Sequence, residues 1–267
     1  MTDALRAMTV GELLDRTFFF YRKHFLLFVG LAGLPHLVLL AVQLLAVVFR
    51  SGEQVAARIL AAAVTTLLTA LVYLAVVAVS QGTTVIAVSR MHLGREPSIA
   101  EAYGAIKGRF FTLVLIMLVA GLATGVGLVL LIIPGILIAL MLSLAIPVAV
   151  LERTGVWAAL TRSAELTKGN RGRIFVIYFL FAVLTYIFYS LWEIPIIVAA
   201  GVLARQSARG LPVWTQVAFP VGQFLTQCLV SPLLTIALSL VYYDQRVRKE
   251  AFDLEHMMSQ LDGRAPA

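Results

Sequence analysis

Charged side chains are what this sequence has least of. They make up 13% of 267 residues, where an average soluble domain carries about 25%. Hydrophobic residues make up 61%. A soluble core of this size has no room for so much apolar surface, whereas lipid accepts it. Cysteine is almost missing: Cys228 stands alone inside an apolar run. No intrachain disulfide can form, and the redox compartment is left open. Histidine is sparse as well. His24, His36, His92 and His256 are scattered, with no pair spaced to share a metal, so neither metal nor cofactor is expected.

The signatures of common enzymes are absent too. There is no Gly-x-Ser-x-Gly elbow, no phosphate-binding loop of the Walker type and no His-Glu-x-x-His. Carboxylates fall almost entirely in the hydrophilic segments and nominate no acid/base pair, so the chain is expected not to be an enzyme. Residues 1–24 carry charges throughout, with no short apolar core before a small-residue cleavage site. No removable signal peptide is expected. The net charge is +7, but no base-reading motif accompanies it, so nucleic acid is not an expected partner.

Long apolar runs are what the sequence does have. Residues 110–151 include 42 positions without one charge, roughly 60 Å of helix at ~1.5 Å per residue, or about twice the hydrocarbon core of a bilayer. Transmembrane barrels read instead as short alternating segments. The expected fold is all-α: one integral membrane domain over 1–267, with an amphipathic segment at 1–24, a six-span bundle at 25–243 and a tail at 244–267. The spans fall near 25–49, 59–88, 110–132, 136–151, 174–192 and 217–243, with Pro134-Gly135 as the turn between the third and fourth. Glu193 and Pro195 interrupt the apolar character of 193–216, which either prolongs the fifth span or lies at the interface.

Basic residues set the orientation. With six spans, 17 Lys and Arg collect on one side and 4 on the other. That bias places both termini in the cytoplasm. If 110–151 crossed once, the two sides would hold 10 and 11 and the bias would vanish.

Each odd-numbered span follows an amphipathic stretch that ends in basic residues and an aromatic. The first opens Thr9-Val-Gly-Glu12 and ends Arg22-Lys23-His24-Phe25; the second opens Ser98-Ile-Ala-Glu101 and ends Lys107-Gly-Arg109-Phe110. Both openings match a capping box. The third runs through Val156, Leu160 and Ala164 to Lys168-Gly169 and Arg173-Ile-Phe175, with Gly169 placed to end a helix. Such helices are expected to lie in the headgroup plane, making membrane lipids a partner. Whether the pattern is a true threefold repeat stays open.

Polar groups inside spans are expensive, and each is a candidate site. His36 lies near mid-depth of the first span, after Pro35, which frees a backbone carbonyl. It reads either as a ligand in a cavity or as a neutral imidazole bonded to a neighbouring helix. Gln43, Gln81, Gln223, Gln227 and Thr226 either bond between helices or line a polar pocket with His36. Glu193, beside Trp192, reads as a wet carboxylate at the outer end of the fifth span. Gly121 and Gly125 form a small-xxx-small pattern, and Pro147 and Pro220 are expected to kink their helices. On the cytoplasmic side, Asp15, Arg16, Arg162, Asp244, Arg246 and Arg248 are expected to form a salt-bridged collar joining the first and third amphipathic helices to the tail.

Four stretches in order carry a resemblance. They are Leu-Leu-Asp15-Arg-Thr-Phe with Tyr-Arg22, the Ile-Ile-Pro134-Gly135-Ile hairpin, Leu160-Thr-Arg162-Ser163 with Leu-Thr-Lys168-Gly169-Asn, and Tyr-Tyr243-Asp244-Gln-Arg246-Val-Arg248-Lys-Glu250 with Phe-Asp253. Together they resemble the prokaryotic membrane-domain family named after glycerophosphoryl diester phosphodiesterase. The chain is similar to stand-alone members, with no catalytic domain expected beyond its last span and no catalytic residue carried over. The resemblance implies the cytoplasmic membrane of a prokaryote.

Two functional readings follow. One is a non-enzymatic scaffold or accessory module in envelope or lipid-related processes, partnered by another membrane or envelope protein. The other is a transporter or lipid-handling permease with a mid-membrane polar pocket. A cavity lined by His36, Gln43, Gln223 or Gln227 would separate them.

Overall fold

A computed structural model describes residues 8–49, 55–206 and 213–262. Arg6, Arg50, Arg209 and Arg264, which enter the charge count, lie outside them. The described chain is helical with no strand. Its helices are α1 (Val10–Lys23), α2 (Phe25–Phe49), α3 (Val55–His92), α4 (Ile99–Ile106), α5 (Phe110–Leu130), α6 (Ile132–Leu142), α7 (Ala145–Leu151), α8 (Val156–Thr167), α9 (Arg171–Gln206) and α10 (Val213–Asp262). Six stretches are long and apolar enough to cross a membrane, as the sequence predicts.

Local chemistry starts and stops these helices. At α1 the capping box forms in full: the Thr9 N–H donates to Glu12 Oε2 at 2.7 Å, and the Glu12 N–H donates to Thr9 Oγ1 at 3.3 Å. The helix buries Leu13 and Thr17. At α4 the expected second box does not form. The Ser98 hydroxyl caps nothing, and Glu101 pairs instead with Arg90 at the end of α3. Gly169 has φ +88° just past α8, the left-handed conformation that glycine supplies at a helix end.

The apolar hairpin turns three residues earlier than expected. Leu131 is extended, with φ −158° and ψ 140°, and α6 begins at Ile132. Pro134 therefore sits in the first turn of α6, where a missing N–H costs nothing. Gly135 instead permits a close helix crossing, since a Cβ there would lie 2.5 Å from the Leu128 nitrogen. The backbones of α5 and α6 touch at Gly127 and Gly135, as small residues permit. Gly121 and Gly125, the pair singled out by spacing, have nothing within 4 Å and mediate no close approach. The fourth span is also broken. It divides at Ser143-Leu144 into α6 and α7, so Pro147 opens a new short helix rather than kinking a continuous one. Residues 145–150 are all buried.

The fifth span settles the status of 193–206. Helix α9 runs unbroken for 36 residues, through Pro195 to Gln206, about 54 Å at ~1.5 Å per residue. Helix α10 carries 50 residues and extends through most of the expected tail. It is the hub of the bundle, packing on α1, α2, α3, α7, α8 and α9. The first described residue meets the middle of α10: the Met8 N–H donates to Asp244 Oδ1 at 2.7 Å.

Candidate functional site

Helices α2, α3, α9 and α10 enclose a cavity of about 220 Å³, room for about seven waters at ~30 Å³ each. Among the described residues no charged side chain lines it. Its wall carries His36 from α2, Ser80 and Gln81 from α3, Thr185 from α9, and Gln227 and Ser231 from α10. A second cavity, of about 550 Å³ and more open, lies farther along the same helices between α2, α3 and α10. It is lined by Gln43, Thr66, Thr69, Gln216 and Gln223. Tyr73 belongs to both walls, so the two polar spaces lie in series with one tyrosine between them.

The hydrogen bonds of the inner chamber commit some of its polar groups and leave both donors and acceptors over. His36 is 2% exposed, and its Nδ1 lies 2.7 Å from the Ala32 carbonyl oxygen. A carbonyl only accepts, so Nδ1 carries the proton and Nε2 presents a lone pair. Among the described residues neither that Nε2 nor the buried Ser231 Oγ has a hydrogen-bond partner. Thr185, Thr226 and Thr235 donate their hydroxyl protons to carbonyls of their own helices, at 2.7, 3.1 and 3.2 Å. Their oxygens remain as acceptors. Gln227 Nε2 donates to the Tyr189 hydroxyl at 3.0 Å, and Gln43 Nε2 donates to Gln223 Oε1 at 3.3 Å.

Four of the five intramembrane candidates are therefore brought together: Gln43 and Gln223 in the open cavity, His36 and Gln227 in the enclosed one. Glu193 is not. It is exposed on α9 and lines neither space. Sequence reasoning missed Tyr73, Ser80, Thr185, Ser231 and Thr235. A signal for two of them was present: Gln223, Gln227, Ser231 and Thr235 recur every four residues, which puts them on one face of a helix.

The charged end centres on Asp244, whose side chain is fully buried. Its Oδ2 accepts from Arg173 at 2.6 Å and from Arg248 Nε at 3.0 Å. Both arginines also donate to the Met8 carbonyl. Asn170 donates to Gln245 at 2.8 Å alongside. Arg173 was not among the expected members, yet it is the closest partner. The other members lie elsewhere. Arg162 pairs with Glu152 at 3.6 Å and Glu165 at 3.9 Å. The Arg246 guanidinium lies over the Tyr242 ring at 5.8 Å, and that of Arg16 over Phe20 at 5.6 Å. Asp15 is exposed at the mouth of an aromatic-lined groove beside Phe18 and Arg22 and makes no ion pair among the described residues. The Tyr242 hydroxyl donates to Glu152 at 2.9 Å and accepts from Arg246 at 3.4 Å, so Arg162 and Arg246 share a second cluster that ties α8 to α10, beside the knot on Asp244.

Among known proteins, 77 residues of the chain, 29% of its length, are 35% identical to a UPF0259 membrane protein of Pectobacterium carotovorum subsp. carotovorum (strain PC1). The match spans 31% of that relative's length. No family model matches the chain, and no solved structure matches it.

Proposed function

We propose that this multi-pass membrane protein is a permease that passes a small solute along the polar faces of α2, α3 and α10. The observation that carries the reading is the pair of polar cavities in series, one open and one enclosed, sharing Tyr73. Polar groups buried in a bundle are costly unless paired, and an ionisable residue inside a span, such as His36, is by default a candidate for a substrate path. The module is non-enzymatic in this reading, and the likeness to the phosphodiesterase membrane-domain family supplies a setting rather than an activity.

The cationic end, with residues 8–24, 90–109, 152–173 and 244–249, faces the cytoplasm, and the open cavity faces outward. Helices α1, α4 and α8 rest against lipid headgroups on the inner side. Reconstitution tests the reading: purified protein in liposomes should speed the entry of small solutes over empty vesicles. Equal rates with and without protein, while a binding partner co-purifies, would favour the scaffold instead.

A further inference from the structure

We infer that the aromatic-lined groove beside α1 holds one phospholipid with a zwitterionic, primary-ammonium headgroup, drawn from the leaflet that meets the charged end. The groove measures about 570 Å³ and lies between α1, α9 and α10. Its deeper wall is apolar, with Leu184 and Phe188 from α9 and Leu229 and Leu233 from α10. From Arg171, where α9 starts, to Leu184 is 13 residues, about 20 Å at ~1.5 Å per residue. Its rim on α1 is charged and aromatic. Asp15, Phe18, Phe19 and Arg22 line it, all four exposed, and their spacing of i, i+3, i+4 and i+7 puts them on one face. The Tyr21 hydroxyl donates to the Leu229 carbonyl at 2.7 Å, which pins α1 to α10 beside the groove. A charged rim over an apolar depth matches the polarity of a phospholipid from headgroup to tail.

Volume and charge select this occupant. Two turns of a helix 10–12 Å across fill about 800–1,200 Å³, more than the groove offers, whereas an acyl chain enters lengthwise and gains with every methylene it buries. Neither Asp15 nor Arg22 makes an ion pair among the described residues. Seven residues separate them by about 10 Å along the helix axis. Helical side chains lean toward the N-terminus, so the longer arginine reaches back toward the carboxylate. A headgroup that carries both a phosphate and an ammonium bridges the two. The Arg22 guanidinium donates to the phosphate, and the Asp15 carboxylate accepts from the ammonium N–H. A purely anionic headgroup would satisfy Arg22 and be repelled by Asp15, and a quaternary ammonium has no N–H to donate.

Lipid retention by the full chain tests this. Protein stripped of lipid in detergent is given phosphatidylethanolamine, phosphatidylcholine or phosphatidylglycerol with identical acyl chains, and native mass spectrometry reads what stays bound. The wild type should hold one phosphatidylethanolamine about fivefold more tightly than phosphatidylglycerol, the ratio one exposed ion pair supplies at its upper end, with phosphatidylcholine between them. The same lipid should raise the thermal midpoint, as any ligand of the folded state does. Asp15→Asn should remove the preference and keep a bound lipid. Arg22→Gln should weaken retention of all three, since all carry a phosphate. Both residues are exposed, so these variants keep the fold. Leu184→Trp fills the groove and should lower retention of all three without changing their order. Another lipid held as tightly as phosphatidylethanolamine, or a preference that survives Asp15→Asn, would overturn the proposal. So would retention unaffected by Leu184→Trp. A lipid-free dimer that Leu184→Trp dissociates would give the groove to a second copy instead. None of these failures touches the polar cavities on which the permease reading stands.

Discussion

The Tyr103 hydroxyl donates to the Leu31 carbonyl at 3.0 Å, the oxygen that Pro35 leaves without its helical N–H. A proline inside a helix removes the bond to the residue four before it, and α4 supplies the replacement from outside α2. The other two amphipathic helices also donate hydroxyls to carbonyls of bundle helices, near a proline but not to the oxygen it orphans. From α1, the Tyr21 hydroxyl donates to the Leu229 carbonyl at 2.7 Å, one residue beyond the oxygen that Pro232 orphans. Burial pushes the Tyr21 phenol up to about 12, so it stays a donor. From α8, Ser163 Oγ donates to the Met141 carbonyl at 2.7 Å and accepts from the Leu144 N–H at 3.1 Å, at the break ahead of Pro147. Each amphipathic helix thus lends a hydroxyl to a main-chain carbonyl of a bundle helix.

Replacing Tyr103 by phenylalanine should lower the unfolding free energy by about 1–3 kcal/mol, the cost of a buried carbonyl left unpaired. The loss should shrink in a Pro35→Ala background, where residue 35 regains an N–H for Leu31. A double-mutant cycle on thermal or denaturant midpoints in detergent reads this coupling. Additive losses would show that the hydroxyl acts elsewhere.

Ser163→Ala should cost a similar ~1–3 kcal/mol, because the Leu144 N–H is buried and Ser163 is its partner. Ser163→Thr should retain most of that stability. Backbone amide exchange at Leu144 is the direct readout: protection should fall in the alanine variant and persist in the threonine one.

The six-span architecture was legible from length and composition alone, because lipid leaves no other way to solvate such runs. Details of the breaks were not. Pro134-Gly135 looks like a turn in isolation, yet a proline in a helix's first turn and a glycine at a helix crossing use the same letters. Leu131, which makes the turn, carries no turn signal at all. Gly121 and Gly125 have the spacing of a packing motif, but which glycine meets a neighbour depends on rotation about the helix axis. His36, Gln43, Gln223 and Gln227 stood out because amides and imidazoles are rare in spans. Ser231 and Thr235 did not, since hydroxyls commonly bond back to their own helix. Arg173 was overlooked at the charged end because it lies at the start of a span, 71 residues from Asp244.

Gly135→Ala should be costly and Gly121→Ala or Gly125→Ala close to neutral. At position 135 the new methyl meets the Leu128 backbone at 2.5 Å, which no rotamer change relieves. Forced overpacking typically costs about 1–3 kcal/mol or more. Gly121 and Gly125 have space, and alanine is the better helix former by about 1 kcal/mol. Thermal midpoints of the three variants should separate accordingly. A neutral Gly135→Ala would mean that α5 and α6 do not cross where the structure puts them.

Asp244 gives the largest expected loss at the charged end. Its carboxylate is fully buried, Arg173 is 15% exposed and Arg248 is 35% exposed. Surface ion pairs contribute about 0–1 kcal/mol, but removing one member of a buried pair costs roughly 3–5 kcal/mol because its partner's charge is stranded. Asp244→Asn should therefore strand Arg173 and destabilise by several kcal/mol. Arg248→Met should cost far less, since Arg173 and the Met8 N–H still hold the carboxylate. Asp244→Asn combined with Arg173→Met should recover part of the loss, because no uncompensated buried charge remains. Denaturation midpoints in detergent, together with the yield of folded protein from membranes, order the four chains. If Arg248→Met proved as damaging as Asp244→Asn, the knot would be held from the α10 side, and Arg173 would not be what ties Met8 to α9 and α10.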